Sequence, residues 1–161
     1  MKIMQQYNQI KELNMNKAHT VQSIINIIKD HNLKMRIIQD ALKGQKIYET
    51  IPKEPKLCIF TIWLKDGDNH FKEILGTLFF GNLKKLHTQW YSEYIKIYNI
   101  FFKEEEKGIL SRLLHAPKAN EMDIDRAKLY YLDLEKYSQE LLHSLASSKR
   151  RLEALNETKF H

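Results

Sequence analysis

One cysteine and two histidines occupy positions from which they could together bind a metal ion. Cys58 is the only cysteine in the chain and lies in the apolar stretch LCIFTIWLKDG, residues 57–67. His31 and His87 each lie on the apolar face of a long helical pattern, one before Cys58 and one after it. Neutral imidazole and thiolate are preferred ligands of Zn²⁺, which usually binds four ligands. The residue types therefore predict a zinc site that joins three segments and needs one further ligand.

Each of these three residues also has an ordinary structural interpretation. A lone buried cysteine usually packs as a small hydrophobic side chain. A histidine on an apolar helix face is usually a core residue whose ring nitrogens have common hydrogen-bond partners. Among the other histidines, His19 lies about 18 Å from His31 along the helix axis, and His70 alone follows Cys58 closely. Helical phase by itself leaves both interpretations open.

The composition is that of one soluble domain. The chain has 161 residues, of which 43% are hydrophobic and 29% charged, and this length suits a single core. A single cysteine excludes an intramolecular disulfide framework and fits a reducing compartment. No apolar run approaches the roughly 20 residues of a membrane span, and the N-terminus lacks the apolar core of a signal peptide. We therefore expect a cytoplasmic protein without a membrane segment.

The formal net charge of +6 raises the possibility of a nucleic-acid partner. However, basic and acidic residues alternate along most of the chain, and the densest basic cluster is short, Lys149-Arg150-Arg151. Such alternation is typical of solvated helix faces. We find no Ser-His-Asp arrangement or phosphate-binding glycine loop. The sequence thus favours a regulatory or interaction domain over a nucleic-acid binder or an enzyme.

Three long helices are predicted to position these residues. Apolar residues recur every three or four positions over 17–43, 82–107 and 125–157. Gly44 is placed to end the first helix, and a short helix is expected around Cys58. The sequence predicts an all-α fold, an antiparallel four- to five-helix bundle with a long C-terminal helix.

The segments between these helices are less regular. Residues 1–16 are compatible with a short helix or an arm, and residues 71–80 with a helix or a loosely wound segment. Asp123 or Asp125 is expected to be the N-cap of the last helix. We divide the chain into three parts, an N-terminal arm or short helix at 1–16, a helical bundle at 17–115, and a C-terminal bundle or linker helix at 116–161.

Leucines on the last helix are spaced nearly as in a coiled coil. They are Leu141, Leu145, Leu152 and Leu155. We expect them to form a seam that pairs two copies of the chain in a homodimer, unless this helix simply closes the bundle.

The order of His31, Cys58-Ile-Phe-Thr-Ile-Trp63 and His87 resembles the chemoreceptor zinc-binding, or CZB, domain family over roughly residues 18–102. The resemblance implies that His31, Cys58 and His87 are zinc ligands. The chain departs from the family pattern in three places. Thr61 replaces a glycine of the cysteine motif, Lys34 replaces an aromatic residue, and Tyr91 replaces the second histidine of a His-x-x-x-His pair.

These departures leave the fourth ligand open. Tyr91 lies one turn after His87, and His70 follows the cysteine segment. Water could also complete the ligand set, or the site could have lost its metal. Phe60 and Trp63 are expected to form the wall of the site, or to be plain core residues.

The C-terminal stretch SSKRRLEALNETKFH resembles the helical linker that leads into a GGDEF diguanylate cyclase domain. Together the two resemblances imply a zinc-responsive sensory domain. It would transmit metal occupancy through its C-terminal helix to a diguanylate cyclase in cyclic di-GMP signalling, and the catalytic domain would lie outside this chain. The alternative is a metal-free helical protein-interaction module.

Overall fold

The computed structural model describes residues 16–47, 49, 51–66, 70–102 and 119–160, except for the side chains of residues 66 and 70. Five α-helices make up most of this part of the chain. They are α1 (Lys17–Leu42), α2 (Ile59–Asp66), α3 (His70–Leu75), α4 (Thr77–Phe101) and α5 (Glu121–Ala154). Two short 3-10 helices, Pro55–Leu57 and Glu157–Phe160, precede α2 and follow α5. The predicted arm at 1–16 lies outside the described residues, apart from Asn16.

Helix α1 confirms the first predicted helix. The side chain of Asn16 caps its start by accepting a 2.7 Å hydrogen bond from the backbone N–H of His19. Ile24, Ile27 and Ile38 are buried along one stripe. The helix ends at Leu42, and Gly44 follows with a φ of 70°, in the left-handed region that glycine enters without steric cost. The predicted end at Gly44 is therefore correct.

Cys58 lies at the junction between the first 3-10 helix and α2. Its N–H donates to the carbonyl of Pro55 at 2.9 Å, and its carbonyl accepts from the N–H of Ile62 at 3.0 Å. Both backbone groups are thus satisfied by the flanking turns, and the thiol side chain is buried. The short helix predicted around Cys58 is present, and the cysteine stands at its beginning.

Helix α4 begins earlier than predicted. Gly76 adopts a φ of 88°, which lets the chain leave α3 and start α4 at Thr77 instead of residue 82. The predicted inward-facing residues Leu83, Trp90 and Ile97 are buried. The segment at 71–80, for which two interpretations were open, is helical on both sides of Gly76. Residues 103–107 of the predicted helix lie outside the described part of the chain.

The N-cap predicted for α5 is corrected by the structure. Asn120, not Asp123 or Asp125, is the cap, and its side chain accepts a 2.8 Å hydrogen bond from the N–H of Asp123. Glu121 and Asp123 instead lie in the first turn. Carboxylates are favourable there because the N-terminal end of a helix carries a partial positive charge.

Helices α1 and α5 run antiparallel. His31 bonds to Ser138, whereas Gln39, further along α1, bonds to Tyr131, which lies earlier on α5. Near the other end of the pair, the ammonium of Lys17 donates to the carbonyl of Leu155 at 2.8 Å. Helix α5 packs even more extensively on α4. The prediction of an all-α helical bundle with a long C-terminal helix is confirmed.

The leucines predicted to pair two copies are used within the chain. Leu141, Leu145 and Leu152 are completely buried in the core formed with α1 and α4, and Leu155 packs against the edge of this core. The first three are therefore not available on the surface as a seam for a second copy. Their spacing reflects the stripe that closes the bundle.

Within the described ranges, no helix has the length and apolar character needed to cross a membrane.

Two substitutions on α5 test this arrangement. Leu141→Ala should lower the free energy of unfolding by about 2–5 kcal/mol, because it leaves a cavity in the core. Leu132→Ala makes the same chemical change on the same helix, but Leu132 is 62% exposed, so the loss should be within about 0.5 kcal/mol. Urea unfolding followed by circular dichroism measures both. Equal losses would show that Leu141 is not a core residue of the isolated chain.

Candidate metal centre

Cys58 and His87 meet in the interior of the bundle. The Sγ atom of Cys58 lies 3.5 Å from Nε2 of His87, and both residues are buried. The ring of Phe60 packs edge-on against the imidazole of His87, with centroids 4.6 Å apart. The start of α2 and the middle of α4 thus bring together two of the three predicted ligands.

The third predicted ligand, His31, is buried nearby but points its Nε2 elsewhere. That nitrogen lies 2.8 Å from the hydroxyl of Ser138 on α5. The imidazole packs against the indole of Trp90, with centroids 5.0 Å apart. His31 is therefore held by a hydrogen bond of the kind that an ordinary core histidine makes. Neither Ser138 nor Trp90 was anticipated as a partner of the site.

Lys34 is an unexpected neighbour of Cys58. It is only 7% exposed, and its Nζ lies 3.0 Å from Sγ of Cys58. The same ammonium pairs with Asp30, one turn earlier on α1, at 2.5 Å. Lysine is almost never fully buried unless it is paired, and here it has both a carboxylate and a sulfur as partners. We call Lys34, Cys58 and His87 the buried centre.

Sequence reasoning missed this role, although a signal was available. Lys34 lies three residues after His31 and one turn after Asp30, and it replaces an aromatic residue of the CZB pattern. A lysine on the apolar stripe of a helix, with an aspartate four residues before it, indicates a buried ion pair.

Tyr91 borders the centre but is a poor candidate for the fourth ligand. Its hydroxyl points toward the carbonyl of Pro52 at 3.4 Å. Burial, followed by the neighbouring Cys58 side chain, raises the pKa of Tyr91 well above its usual value. The phenol is therefore held in its neutral form. The side chain of the other candidate, His70, lies outside what the structure describes.

The predicted wall residues form an aromatic row leading away from the centre. Phe60 contacts His87 directly, Trp63 follows Phe60, and Phe71 packs on Trp63 with centroids 4.5 Å apart. Nε1 of Trp63 and Oγ1 of Thr61 are buried and have no hydrogen-bond partner among the described residues. Phe60 is thus in contact with a predicted ligand, whereas Trp63 is one ring further away.

The donor set fits zinc only in part. Two ligands at about 2.3 and 2.0 Å from a tetrahedral ion lie about 3.5 Å apart, which matches the separation of Cys58 and His87. The third donor is engaged with Ser138. Accordingly, no group of three or more His, Cys, Asp or Glu side chains within the described residues is arranged to hold a metal ion. The arrangement thus places two of the predicted donors at the separation of zinc ligands, whereas the third is hydrogen-bonded to Ser138.

The charge of Lys34 also opposes a metal ion here. A zinc ion bound to Cys58 at about 2.3 Å would lie within roughly 5 Å of the ammonium, since the ammonium is 3.0 Å from the same sulfur. At an effective dielectric constant of 20, a divalent and a monovalent cation at that distance repel by on the order of 6 kcal/mol. A zinc ion at Cys58 would therefore be opposed by the charge of this ammonium.

Both buried histidines are neutral near pH 7. Burial, followed by the charge of Lys34 and then by the electrostatic interaction with His87, lowers the pKa of His31 to about 3. Burial, followed by the charge of Lys34, lowers the pKa of His87 to about 4. Neutral imidazole is the form that can bind a metal. By contrast, His19 and His143 are exposed, and His115 and His161 lie outside the described residues.

Comparisons with protein-family models, with curated proteins and with solved structures find no match for this chain.

The depressed pKa values of the two histidines predict acid sensitivity. Between these values and the unfolded pKa of 6.5, the unfolded chain binds more protons than the folded chain. The free energy of unfolding should therefore fall as the pH drops from 7 to 5, by roughly 2 kcal/mol for each histidine. Urea unfolding of chelator-treated protein at several pH values measures the slope.

His31→Gln should remove about half of this pH dependence, because glutamine does not titrate and its amide can still bond to Ser138. His19→Gln is the matched control, because it makes the same change at an exposed position of the same helix. An identical slope in the parent and in His31→Gln would contradict the assignment of His31 as a buried neutral imidazole.

Proposed function

We propose that this chain is a zinc-responsive regulatory domain, with Cys58 and His87 as the first two ligands. The observation that supports this most directly is their 3.5 Å contact inside the bundle, where a thiol and a neutral imidazole are already at the separation of two zinc ligands. The CZB-like order of His31, Cys58 and His87 supports the same function. When bound, zinc would supply a cross-link between α1, the start of α2 and α4.

His31 is proposed as the third donor and as the link to the C-terminal helix. Its Nε2 now bonds to Ser138, so this hydrogen bond ties the middle of α1 to the middle of α5. If His31 turns toward Cys58, it gives up this bond, and the hydroxyl of Ser138 must find another acceptor or donor. A change at the centre would thus alter the packing of α5, which is the element proposed to carry the signal.

The wider role rests on the resemblances alone. We propose that α5 passes the signal to a diguanylate cyclase domain, that the chain acts as a cytoplasmic homodimer, and that it has no catalytic activity of its own. Since Leu141, Leu145 and Leu152 are buried within the chain, a homodimer would have to use other surfaces.

A second candidate function is favoured by one observation. The pairing of Lys34 with Cys58 and Asp30 gives the buried ammonium and the buried sulfur partners without a metal. The bundle would then be a metal-free helical protein-interaction module, and Cys58 an ordinary core residue.

Zinc titration distinguishes the two functions. The parent chain, purified without added metal, should bind one zinc ion per chain with saturation. Cys58→Ser and His87→Gln should each weaken this binding at least ten-fold, because each removes one of the two donors in place. His143→Gln, a change at an exposed histidine, should have no effect. Calorimetry or a competing chromophoric chelator measures the affinity.

Absence of saturable zinc binding by the parent would contradict the zinc-responsive function and favour the metal-free module. Binding that is unchanged in both Cys58→Ser and His87→Gln would likewise place any metal elsewhere on the chain.

The proposed link through Ser138 predicts a response in α5. Addition of zinc should change amide hydrogen exchange around Ser138, because the bond from His31 is lost there. The exposed first turns of the same helix, around Leu129, provide the internal control. Exchange measured by mass spectrometry with and without zinc tests this. Zinc binding with no change around Ser138 would rule out transmission by this hydrogen bond.

A further inference from the structure

Lys34 places a positive charge beside the sulfur that a metal ion would have to bind. Its Nζ lies 3.0 Å from Sγ of Cys58, and the side chain reaches this position from α1 while remaining buried. Cys58 also contacts His87, at 3.5 Å. The sulfur therefore has a cation beside it before any metal arrives.

The charge of Lys34 also acts on the imidazoles of His31 and His87. After burial, the charge of Lys34 is the next cause that lowers the pKa of His31 and of His87. A cation that disfavours a proton on an imidazole nitrogen also disfavours a metal ion bound to that nitrogen. Lys34 thus opposes zinc at all three predicted ligands, and not at the sulfur alone.

The ammonium of Lys34 lies close to a partly exposed carboxylate, toward which it could move away from the sulfur. Its second partner, Asp30, is one turn earlier on α1, and the side chain of Asp30 is 33% exposed. Lysine carries its charge on a flexible four-carbon stem. A rotation of this stem could keep the pair with Asp30 and move the ammonium toward solvent, which would free the sulfur.

We propose that Lys34 is an intramolecular competitor of zinc, which occupies the position beside Cys58 in the metal-free chain and must leave it before a metal ion binds. This inference rests on the proposed zinc-responsive function and specifies how its affinity is set. The lysine lowers the affinity for zinc. In the metal-free chain it also keeps the position beside Cys58 occupied, so that the site has a single arrangement without metal. Such a centre responds to higher zinc concentrations than the same donors would without the lysine.

The test compares zinc affinity among charge-removing variants of α1. Lys34→Met keeps an unbranched, apolar side chain of similar length and removes the charge, so it should bind zinc at least ten-fold more tightly than the parent. Lys29→Met makes the same change at an exposed position on the same helix and should bind within two-fold of the parent. Calorimetric titration with zinc gives the affinities, and circular dichroism in chelator checks that each variant is folded.

Two further variants keep the interpretation unambiguous. Removal of Lys34 frees the Asp30 carboxylate, which could itself bind zinc. The double variant Asp30→Asn with Lys34→Met should retain the ten-fold gain if the lost charge is the cause, and lose it if Asp30 has become a ligand. Lys34→Gln replaces Lys34→Met in the comparison if the methionine variant does not fold.

The outcomes separate this inference from the proposed function. Parent and Lys34→Met with equal measurable affinities would overturn the competitor role and leave the zinc function intact. Zinc binding by Lys34→Met but not by the parent would support the competitor role and overturn zinc responsiveness of the parent. Absence of binding by both would overturn both. A gain that disappears in the double variant would overturn the competitor role as well.

Discussion

A charged side chain in a helix bundle must have partners, and the interior of this protein is arranged around that requirement. Lys34 projects from the apolar stripe of α1 into the core, where an unpaired ammonium would be strongly unfavourable. Asp30 and Cys58 supply the two contacts that make this burial tolerable. Since Cys58 also contacts His87, the requirement of one lysine links α1, the start of α2 and the middle of α4.

Helix α5 closes the bundle and contacts the same region through Ser138. It packs on α1 and α4 along most of its length. In the middle of the interface with α1, the hydroxyl of Ser138 is hydrogen-bonded to the imidazole of His31. His31 therefore takes part in two sets of interactions. It satisfies a polar group inside the α1–α5 interface, and it interacts electrostatically with Lys34 and His87. A change in its partner would be felt by α5, because a buried hydroxyl does not remain unpaired without cost.

In the buried centre, two side chains of the kind that bind zinc lie next to the ammonium of a lysine. A thiol and an imidazole at 3.5 Å are compatible with a shared zinc ion, and equally with a weak hydrogen bond between them. The ammonium beside the sulfur makes the second arrangement stable in the metal-free chain. Under the proposed zinc function, competition between the ammonium of Lys34 and a zinc ion sets the affinity of the site. A ligand selects between two conformations of a protein in the same way, by binding one of them more tightly.

Much of the fold was predictable because it depends on local periodicity. The stripe of Ile24, Ile27 and Ile38 defines the buried face of α1, and Gly44 ends the helix because its backbone adopts a positive φ. The same helical phase correctly turned His31 and His87 inward. The start of α5 was misplaced because aspartate and asparagine are comparable N-caps and several occur close together, so that sequence alone does not select Asn120.

What the sequence determined, then, is which face of each long helix turns inward, since that face follows from the helical phase. It did not determine which buried groups pair with one another. His31 bonds to Ser138, and the ammonium of Lys34 contacts Cys58, although these partners are far apart in sequence. Leu141 and its neighbours fill the core of their own chain, although their spacing suits a pairing between chains equally well. Only the tertiary structure settles such choices, because helical phase gives the direction of a side chain but not the identity, distance or charge of the group that it meets.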